Sequence, residues 1–390
     1  METNRVFLIV LDSFGIGQAP DAADYNDGPC NTLGSIASST NYKTPMLQKL
    51  GLFNIEGVGC GTKIAAPLGA FGRLRESSKG KDTTIGHWEI SGIISEHPLP
   101  TYPNGFPPDV IKQLEDAFGR KIICNKPYSG TAVIHDYGQE QLADGALIIY
   151  TSADSVLQIA AHEDIISPEQ LYDYCRAARK ILTGKHSVGR VIARPFTGSY
   201  PNFERTPRRH DFSMMPPANT MLDSLTAAGL DTIGVGKISD IFAARGVQRH
   251  IPMSCNEEGM NHAIECLNED FRGLCFINLV DFDMKFGHRR DIDGYAQAAT
   301  DFDKQLIEFL AKMKDTDILM ITADHGCDPG APGTDHTREY VPYLVYGKNI
   351  KANTDLKTSP TFANIAATVL DLFHLKIDTA GQSFVDKILK

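Results

Sequence analysis

The chain lacks long apolar runs and paired cysteines and has 1 tryptophan, and each scarcity narrows what it does. No apolar stretch approaches the about 18 residues of a membrane-spanning helix, so no membrane partner is expected. The opening run Val6–Leu11 is short and has neither a basic leader nor a small-residue cleavage site, so it does not read as a signal peptide. The 8 cysteines, at positions 30, 60, 124, 175, 255, 266, 275 and 327, form no Cys-x-x-Cys pair. Several fall inside apolar helix or strand patterns, which suits reduced thiols and predicts a cytoplasmic protein rather than a disulfide-stapled secreted one. Internal repeats, low-complexity segments and long blocks of like charge are also missing, which excludes repeat arrays and argues against a nucleic-acid partner.

With 390 residues, the chain has room for two domains or one large elaborated one. Strands are predicted at 6–11, 232–236, 274–281, 317–323 and 343–347, and helices near 44–52, 218–229, 258–268, 292–313 and 360–373. The dipeptide Ser359-Pro360 has the look of an N-cap followed by proline in the first turn of the last helix. This alternation predicts an α/β fold with a mostly parallel sheet flanked by helices on both faces.

A middle section interrupts the alternation. It opens with Pro98, Pro100, Pro103, Pro107 and Pro108 and closes with Pro207, Pro216 and Pro217. Prolines in such numbers punctuate a chain. Between them lie expected strands near 146–151 and 188–194. A helix is expected over Pro168–Thr183, with Leu171, Cys175, Ala178 and Leu182 on one face and Ser167 and Gly184 as caps. The predicted organisation is a discontinuous core of residues 1–97 and 216–390 with an inserted, smaller α/β cap domain over 98–215. The cap has 13 Lys/Arg and 13 Asp/Glu, so the whole net charge of −10 belongs to the core. Within the cap, from Arg176 to Arg209, nine basic residues accompany one acid, Glu204. A pocket for a small anion such as a phosphate ester fits that imbalance.

Three predicted strands run directly into acids and histidines. Val6–Leu11 ends at Asp12, the 274–280 run leads into Asp281, Asp283 and His288, and the 317–323 run delivers Asp324 and His325, with His336 eleven residues on. A lone aspartate at a strand end is commonly a turn cap. Open α/β sheets, however, bind ligands outside the carboxyl ends of their strands. Mixed carboxylate and imidazole donors suit Mn²⁺, Zn²⁺ or Fe²⁺, and six such groups are enough for two ions. Gly80-Lys81-Asp82-Thr83-Thr84-Ile85-Gly86-His87-Trp88-Glu89 offers a nucleophile: a hydroxyl on a glycine-flanked turn, activated by a metal ion. Seen alone, this stretch reads more readily as a polar surface loop.

Several longer segments are distinctive: Leu11-Asp12-Ser13-Phe14-Gly15-Ile16-Gly17, Ala19-Pro20-Asp21-Ala22, Gly80 to Ile90, Ser152-Ala153-Asp154-Ser155-Val156 and Gly189 to Phe196. Phe282-Asp283-Met284 with Gly287-His288-Arg289-Arg290, Thr322 to Gly326, and Thr334-Asp335-His336-Thr337-Arg338-Glu339 complete the set. Together they carry a full-length resemblance to the bacterial phosphopentomutases of the alkaline phosphatase superfamily. It implies an alkaline-phosphatase-like core with one ion, favoured as Mn²⁺, on Asp12, Asp324 and His325, and a second on Asp283, His288 and His336. The family's spacing selects Asp283 over Asp281 and Thr83 over Thr84. Thr83 is implied to carry the phosphoryl group. Asp154 is expected to bind sugar hydroxyls, and Arg190, Arg205 and Lys237 the phosphate not in transit. The implied reaction interconverts ribose or deoxyribose 1-phosphate and 5-phosphate through a 1,5-bisphosphate, primed by an activating sugar bisphosphate. Cys327 stands where many relatives have asparagine, as a packing residue or as a thiol beside the metals. The rivals are a phosphoglycerate mutase, a metal-dependent phosphatase or phosphodiesterase, and a catalytically silent binding protein.

Overall fold

Short runs rich in Val, Ile and Leu bury both faces when they pair side by side, and here they assemble the core. In the computed structural model, which describes residues 3–152 and 154–390, an 8-stranded sheet forms. Its order is Arg249–Ile251, Asp231–Val235, Gly273–Leu279, Arg5–Leu11, Asp317–Thr322, Val341–Tyr346, Ala70–Leu74 and Thr354–Ser359. Neighbours are parallel except those of Val341–Tyr346, which runs antiparallel to the strands on either side of it. Every residue of the three central strands Gly273–Leu279, Arg5–Leu11 and Asp317–Thr322 is buried, as a sheet covered on both faces requires.

The amino ends of these strands are locked by a buried ion pair. Arg5 donates Nε to Asp317 Oδ1 at 2.8 Å and Nη2 to Asp317 Oδ2 at 2.7 Å. Its Nη1 donates to the Leu267 and Glu269 carbonyls at 3.0 and 2.8 Å. Planar, bidentate pairing of this kind fixes geometry as well as charge. It sets the register in which Leu11 lies opposite Leu279 and Val10 opposite Thr322.

The chain divides into two compact units, Met1–Pro98 with Pro216–Lys390, and Leu99–Met215. The smaller unit has a 6-stranded sheet in the order Ile122–Pro127, Leu147–Thr151, Val156–His162, Arg190–Ser199 and Asn202–Arg205, with His210–Ser213 also paired to Arg190–Ser199. Side chains alternate across it. Leu147 and Ile149 pack under the helices Pro108–Phe118 and Pro168–Ile181, while Ile148 and Tyr150 join Val133 and Ile134 of Gly130–Asp144.

Local signals misled at three places. Ser359 ends a strand and does not cap the helix expected at 360–373, which begins at Asn364 after an Ala363 cap without a side-chain bond. The buried carboxylate of Glu89 claims the intervening turn, accepting from Thr361 Oγ1 at 2.7 Å and from the Phe362 amide at 2.9 Å. Gly184 opens a short 3-10 turn, and the helix before it closes at Leu182, although Ser167 does cap its start. The Gly80–Glu89 stretch is neither turn nor surface loop at its centre. Thr83–Ile90 is a helix whose residues from Ile85 onward are buried. Ala153 of the Ser152–Val156 motif lies outside the described residues.

Candidate metal centre and nucleophile

Because three adjacent parallel strands end level, the residues that follow them meet at one rim. Asp12 leaves Arg5–Leu11, Asp324 and His325 leave Asp317–Thr322, and Asp283 follows Gly273–Leu279 on a π-helical turn, Phe282–Gly287. Such turns aim side chains that a regular helix would not. His288 comes directly after that turn. His336 is returned to the rim by a bridge between Gly326 and Thr337.

Potential ligand atoms of Asp12, Asp324 and His325 all lie within 4.8 Å of one another, as do those of Asp283, His325 and His336. His288 Nε2 is 3.2 Å from Asp283 Oδ2 and 3.1 Å from His336 Nε2, and His336 Nε2 is 3.4 Å from Asp283 Oδ1. The six residues singled out as ligands therefore converge. Asp281 does not join them: its Oδ2 takes the Asn256 amide at 2.9 Å and Lys285 at 3.1 Å.

The donor set fits cations. Asp12 Oδ1, Asp283 Oδ1 and Asp324 Oδ2 are buried without a hydrogen-bond partner, an expensive arrangement for a carboxylate that holds no ligand. His288 Nδ1 faces the Thr334 carbonyl at 2.6 Å and His325 Nδ1 the Gly326 carbonyl at 3.0 Å. A carbonyl only accepts, so Nδ1 is the protonated nitrogen and Nε2 is the one available to a metal.

Electrostatics tell the same story. Burial first, and then the Asp324 and Asp283 carboxylates, push Asp12 up to about 6. Burial also acts against ionisation of Asp324 and Asp283, but neighbouring imidazoles outweigh it and hold both well below the usual carboxylate range. The Asp283 hydrogen bond, then Cys327, raise His288 to about 12. For His325, burial disfavours the charged form, and Asp324 and Asp12 overcome it. Protons on the histidines thus balance the acids in the absence of a cation, and a divalent ion displaces them.

Thr83 occupies the first turn of its helix, with Oγ1 3.1 Å from His325 Nε2. Asp82 caps the helix, accepting from the Thr84 and Ile85 amides at 3.0 and 3.1 Å. A helix amino terminus favours negative charge, which suits a phosphorylated side chain there. Gly86 lets the helix lie against the rim, since a Cβ at that position would stand 2.2 Å from the Asp324 carbonyl oxygen.

Sequence reasoning missed the residues that hold this arrangement. His87 Nδ1 donates to the Thr83 carbonyl at 2.8 Å and stands 3.2 Å from Asp324 Oδ2. Asn278 Nδ2 donates to Asp12 Oδ2 at 2.9 Å and faces His87 Nε2 at 3.3 Å. The Ser13 amide donates to Asp324 Oδ1 at 3.0 Å from a backbone with φ of 71°. Buried Arg338 donates to the Gly80 and Glu76 carbonyls at 2.6 and 2.7 Å and pairs with Asp21 and Glu76, fixing the segment that leads to Thr83. Two signals were available: His87 is four residues from Thr83 on one helical face, and Asn278 is a polar break in an apolar run.

Lys237 stands at the start of the short helix Ile238–Ile241, past the carboxyl end of Asp231–Val235, and its charge acts on Asp12. In the smaller unit Arg190 pairs with Asp154 at 3.4 Å and Asp211 at 3.5 Å. Arg205 joins neither, and donates to the Gly130 carbonyl at 3.1 Å. Part of the basic surplus of the 176–209 stretch is met by acids that flank it or lie elsewhere in the unit. Arg208 pairs with Glu163, Arg209 with Asp211, and Arg176 with Asp173 at 2.5 Å.

Residues 4–377 match the metalloenzyme superfamily. The chain is 55% identical over 387 residues to a phosphopentomutase of Lachnoclostridium phytofermentans, covering 99% of both chains. It is 53% identical to one from Carboxydothermus hydrogenoformans, covering 99% of this chain and 100% of that one. A solved protein from Pyrococcus horikoshii shares the fold at 14% identity and a TM-score of 0.52, covering 98% of this chain and 100% of the other.

Proposed function

Because the chain belongs to the metalloenzyme superfamily and, within it, to the phosphopentomutases, an isomerase family, we propose that it interconverts the 1-phosphates and 5-phosphates of ribose and deoxyribose. The observation that carries this reading is the Thr83 hydroxyl, 3.1 Å from His325 Nε2 among buried carboxylates with unmet hydrogen-bonding capacity.

In this reading Thr83 carries a phosphoryl group in the resting enzyme, loaded by an activating sugar bisphosphate. Thr83 gives that group to the free hydroxyl of a bound pentose phosphate, and the product is a 1,5-bisphosphate. After the bisphosphate turns over, Thr83 takes up its other phosphate and the isomer leaves. Asp12, Asp324 and His325 would hold one divalent ion, and Asp283, His288 and His336 a second, with Mn²⁺ the expected metal. Such ions neutralise charge on the oxygens in transfer and favour the ionised hydroxyl. His87 and Arg338 keep Thr83 at the rim throughout. Lys237 supplies positive charge from the core, while Asp154 is assigned to sugar hydroxyls and Arg190 and Arg205 to the phosphate that is not moving. All 8 cysteines are free thiols, which fits a reducing cytoplasm, and no described helix is long and apolar enough to cross a membrane.

The test is to supply ribose 1-phosphate and Mn²⁺ and follow products by phosphorus NMR. Ribose 5-phosphate should form, its rate should rise with catalytic pentose bisphosphate, and peptide mapping should find the phosphoryl label on Thr83. Release of inorganic phosphate without isomerisation would make the protein a hydrolase. A label on Thr84 would move the nucleophile.

A further inference from the structure

The second ion's corner contains one donor more than the proposed reaction uses. Cys327 is buried, and its Sγ belongs to a set with Asp283 and His288 whose ligand atoms all lie within 4.8 Å of one another. Its main chain is held in place, the amide donating to the Ser13 carbonyl at 3.1 Å. The sulfur makes a long bond, 3.6 Å, to the Asp335 carbonyl and interacts with the His288 imidazole. On its other side is Gly287, where a Cβ would stand 2.9 Å from Sγ. An independent sign that this corner is built for a cation is Asp283, which is 6% exposed and has an Oδ1 without any hydrogen-bond partner. His336 Nε2 lies 3.1 Å from that of His288.

Resting on the two-ion reading above, we propose that Cys327 is a metal ligand used only by thiophilic ions. Zn²⁺ in the second position takes Asp283, His288, His336 and the Cys327 sulfur, and the thiol proton passes to solvent as the bond forms. Mn²⁺ is satisfied by carboxylate and imidazole and leaves the sulfur uncoordinated. Four protein ligands around zinc are the pattern of a structural site, which keeps no open position for a substrate. Zinc therefore binds tightly and closes the place that a phosphate oxygen needs, so one cysteine turns a working metal position into an inhibitory one.

Cobalt is the probe, because Co²⁺ follows zinc's ligand choices and is coloured. Metal-free, full-length protein is titrated with Co²⁺, and in parallel with Zn²⁺ and Mn²⁺. The wild type should develop a sulfur-to-cobalt charge-transfer band in the near ultraviolet, and Cys327→Ser should lack it. Zn²⁺ affinity should fall at least about tenfold in Cys327→Ser and Cys327→Ala, since even loss of an outer-sphere partner costs that much. Mn²⁺ affinity should stay within about twofold. A wild-type cobalt complex without the band, or unchanged zinc affinity in both variants, overturns the proposal. The wild-type spectrum decides even if a variant folds poorly. Failure of Mn²⁺ to bind the wild type would instead sink the two-ion reading, so the two failures are distinguishable.

Discussion

The same three strands end very differently at their two edges. At the amino edge the Arg5 guanidinium meets Asp317 through two short bonds and spends a third nitrogen on backbone carbonyls. At the carboxyl edge Asp12, Asp283 and Asp324 are as deeply buried, yet each keeps an oxygen with no hydrogen bond. Burial of charge is costly in both places. At one edge the protein itself completes the pairing, and that edge serves folding. At the other it leaves the pairing to something that arrives later. Buried charge becomes informative about function only after its partners have been counted.

The sharpest way to break this comparison is at the carboxyl edge. Asp324→Asn should lower mutase turnover by about 10³-fold or more, the scale expected when preorganised charge is removed from a transition state. Metal analysis should show the first ion gone. In metal-free protein Asp12 itself, pushed up by burial and by the Asp324 and Asp283 carboxylates, contributes no stability when ionised, so Asp12→Asn should leave the melting temperature unchanged or raise it. A large drop in the metal-free melting temperature of Asp12→Asn would show that the two edges are alike.

The opposite result is expected at the amino edge. Arg5→Ala strands a buried carboxylate and should cost about 3–5 kcal/mol in denaturant unfolding. Any folded fraction should bind Mn²⁺ with near-normal affinity. Loss of metal without loss of stability would reverse the assignment of the two edges.

A smaller effect extends the comparison to the smaller unit. If Arg190 and Arg205 hold a substrate phosphate, replacing either with alanine should weaken pentose phosphate binding by about 1.5–3 kcal/mol, roughly ten- to a hundredfold. Arg208, already paired with Glu163 on an exposed surface, should change binding by less than about 1 kcal/mol when replaced. Equal losses at all three would mean that the stretch acts through bulk charge. Calorimetric titration distinguishes the outcomes.

The gentlest test is pH. Asp12, raised to about 6 in the metal-free protein, must be ionised to bind a cation. Below that pH a proton competes for it, and above it this competition ends. Mn²⁺ affinity should therefore lose about a further factor of ten per pH unit as pH falls through 6, on top of the proton release from the histidines. Titrations between pH 5 and 7.5 in buffers of different ionisation heat would detect it. An affinity with the same slope above and below 6 would remove Asp12 from the ligand set.

Much of this was legible in the chain because strand ends are written in linear sequence. An apolar run followed by an acid needs no tertiary knowledge, and parallel pairing then brings separate runs to one edge. Several of the missed features depended on partners distant in sequence. Ser359-Pro360 has the local chemistry of a cap, but Glu89, some 270 residues earlier, organises the turn after it. Part of the imbalance of the 176–209 stretch is met by Asp154 and Glu163, which lie well before the residues they pair with, Arg190 and Arg208. Gly80–Glu89 looked like a loop because its polar residues come first, and its buried half faces a strand end that propensity does not register.

Gly86 makes the distance between nucleophile and rim a quantity with almost no tolerance. The gap between the Thr83 oxygen and His325 is set by the thickness of the wall between their two segments, and at residue 86 that wall is one hydrogen atom thick. A single methyl group inserted there is a shim that lifts the helix and carries the hydroxyl out of range. No ligand or charged side chain would have been replaced. The spacing admits no smaller adjustment at this position, because no residue type lies between glycine and alanine.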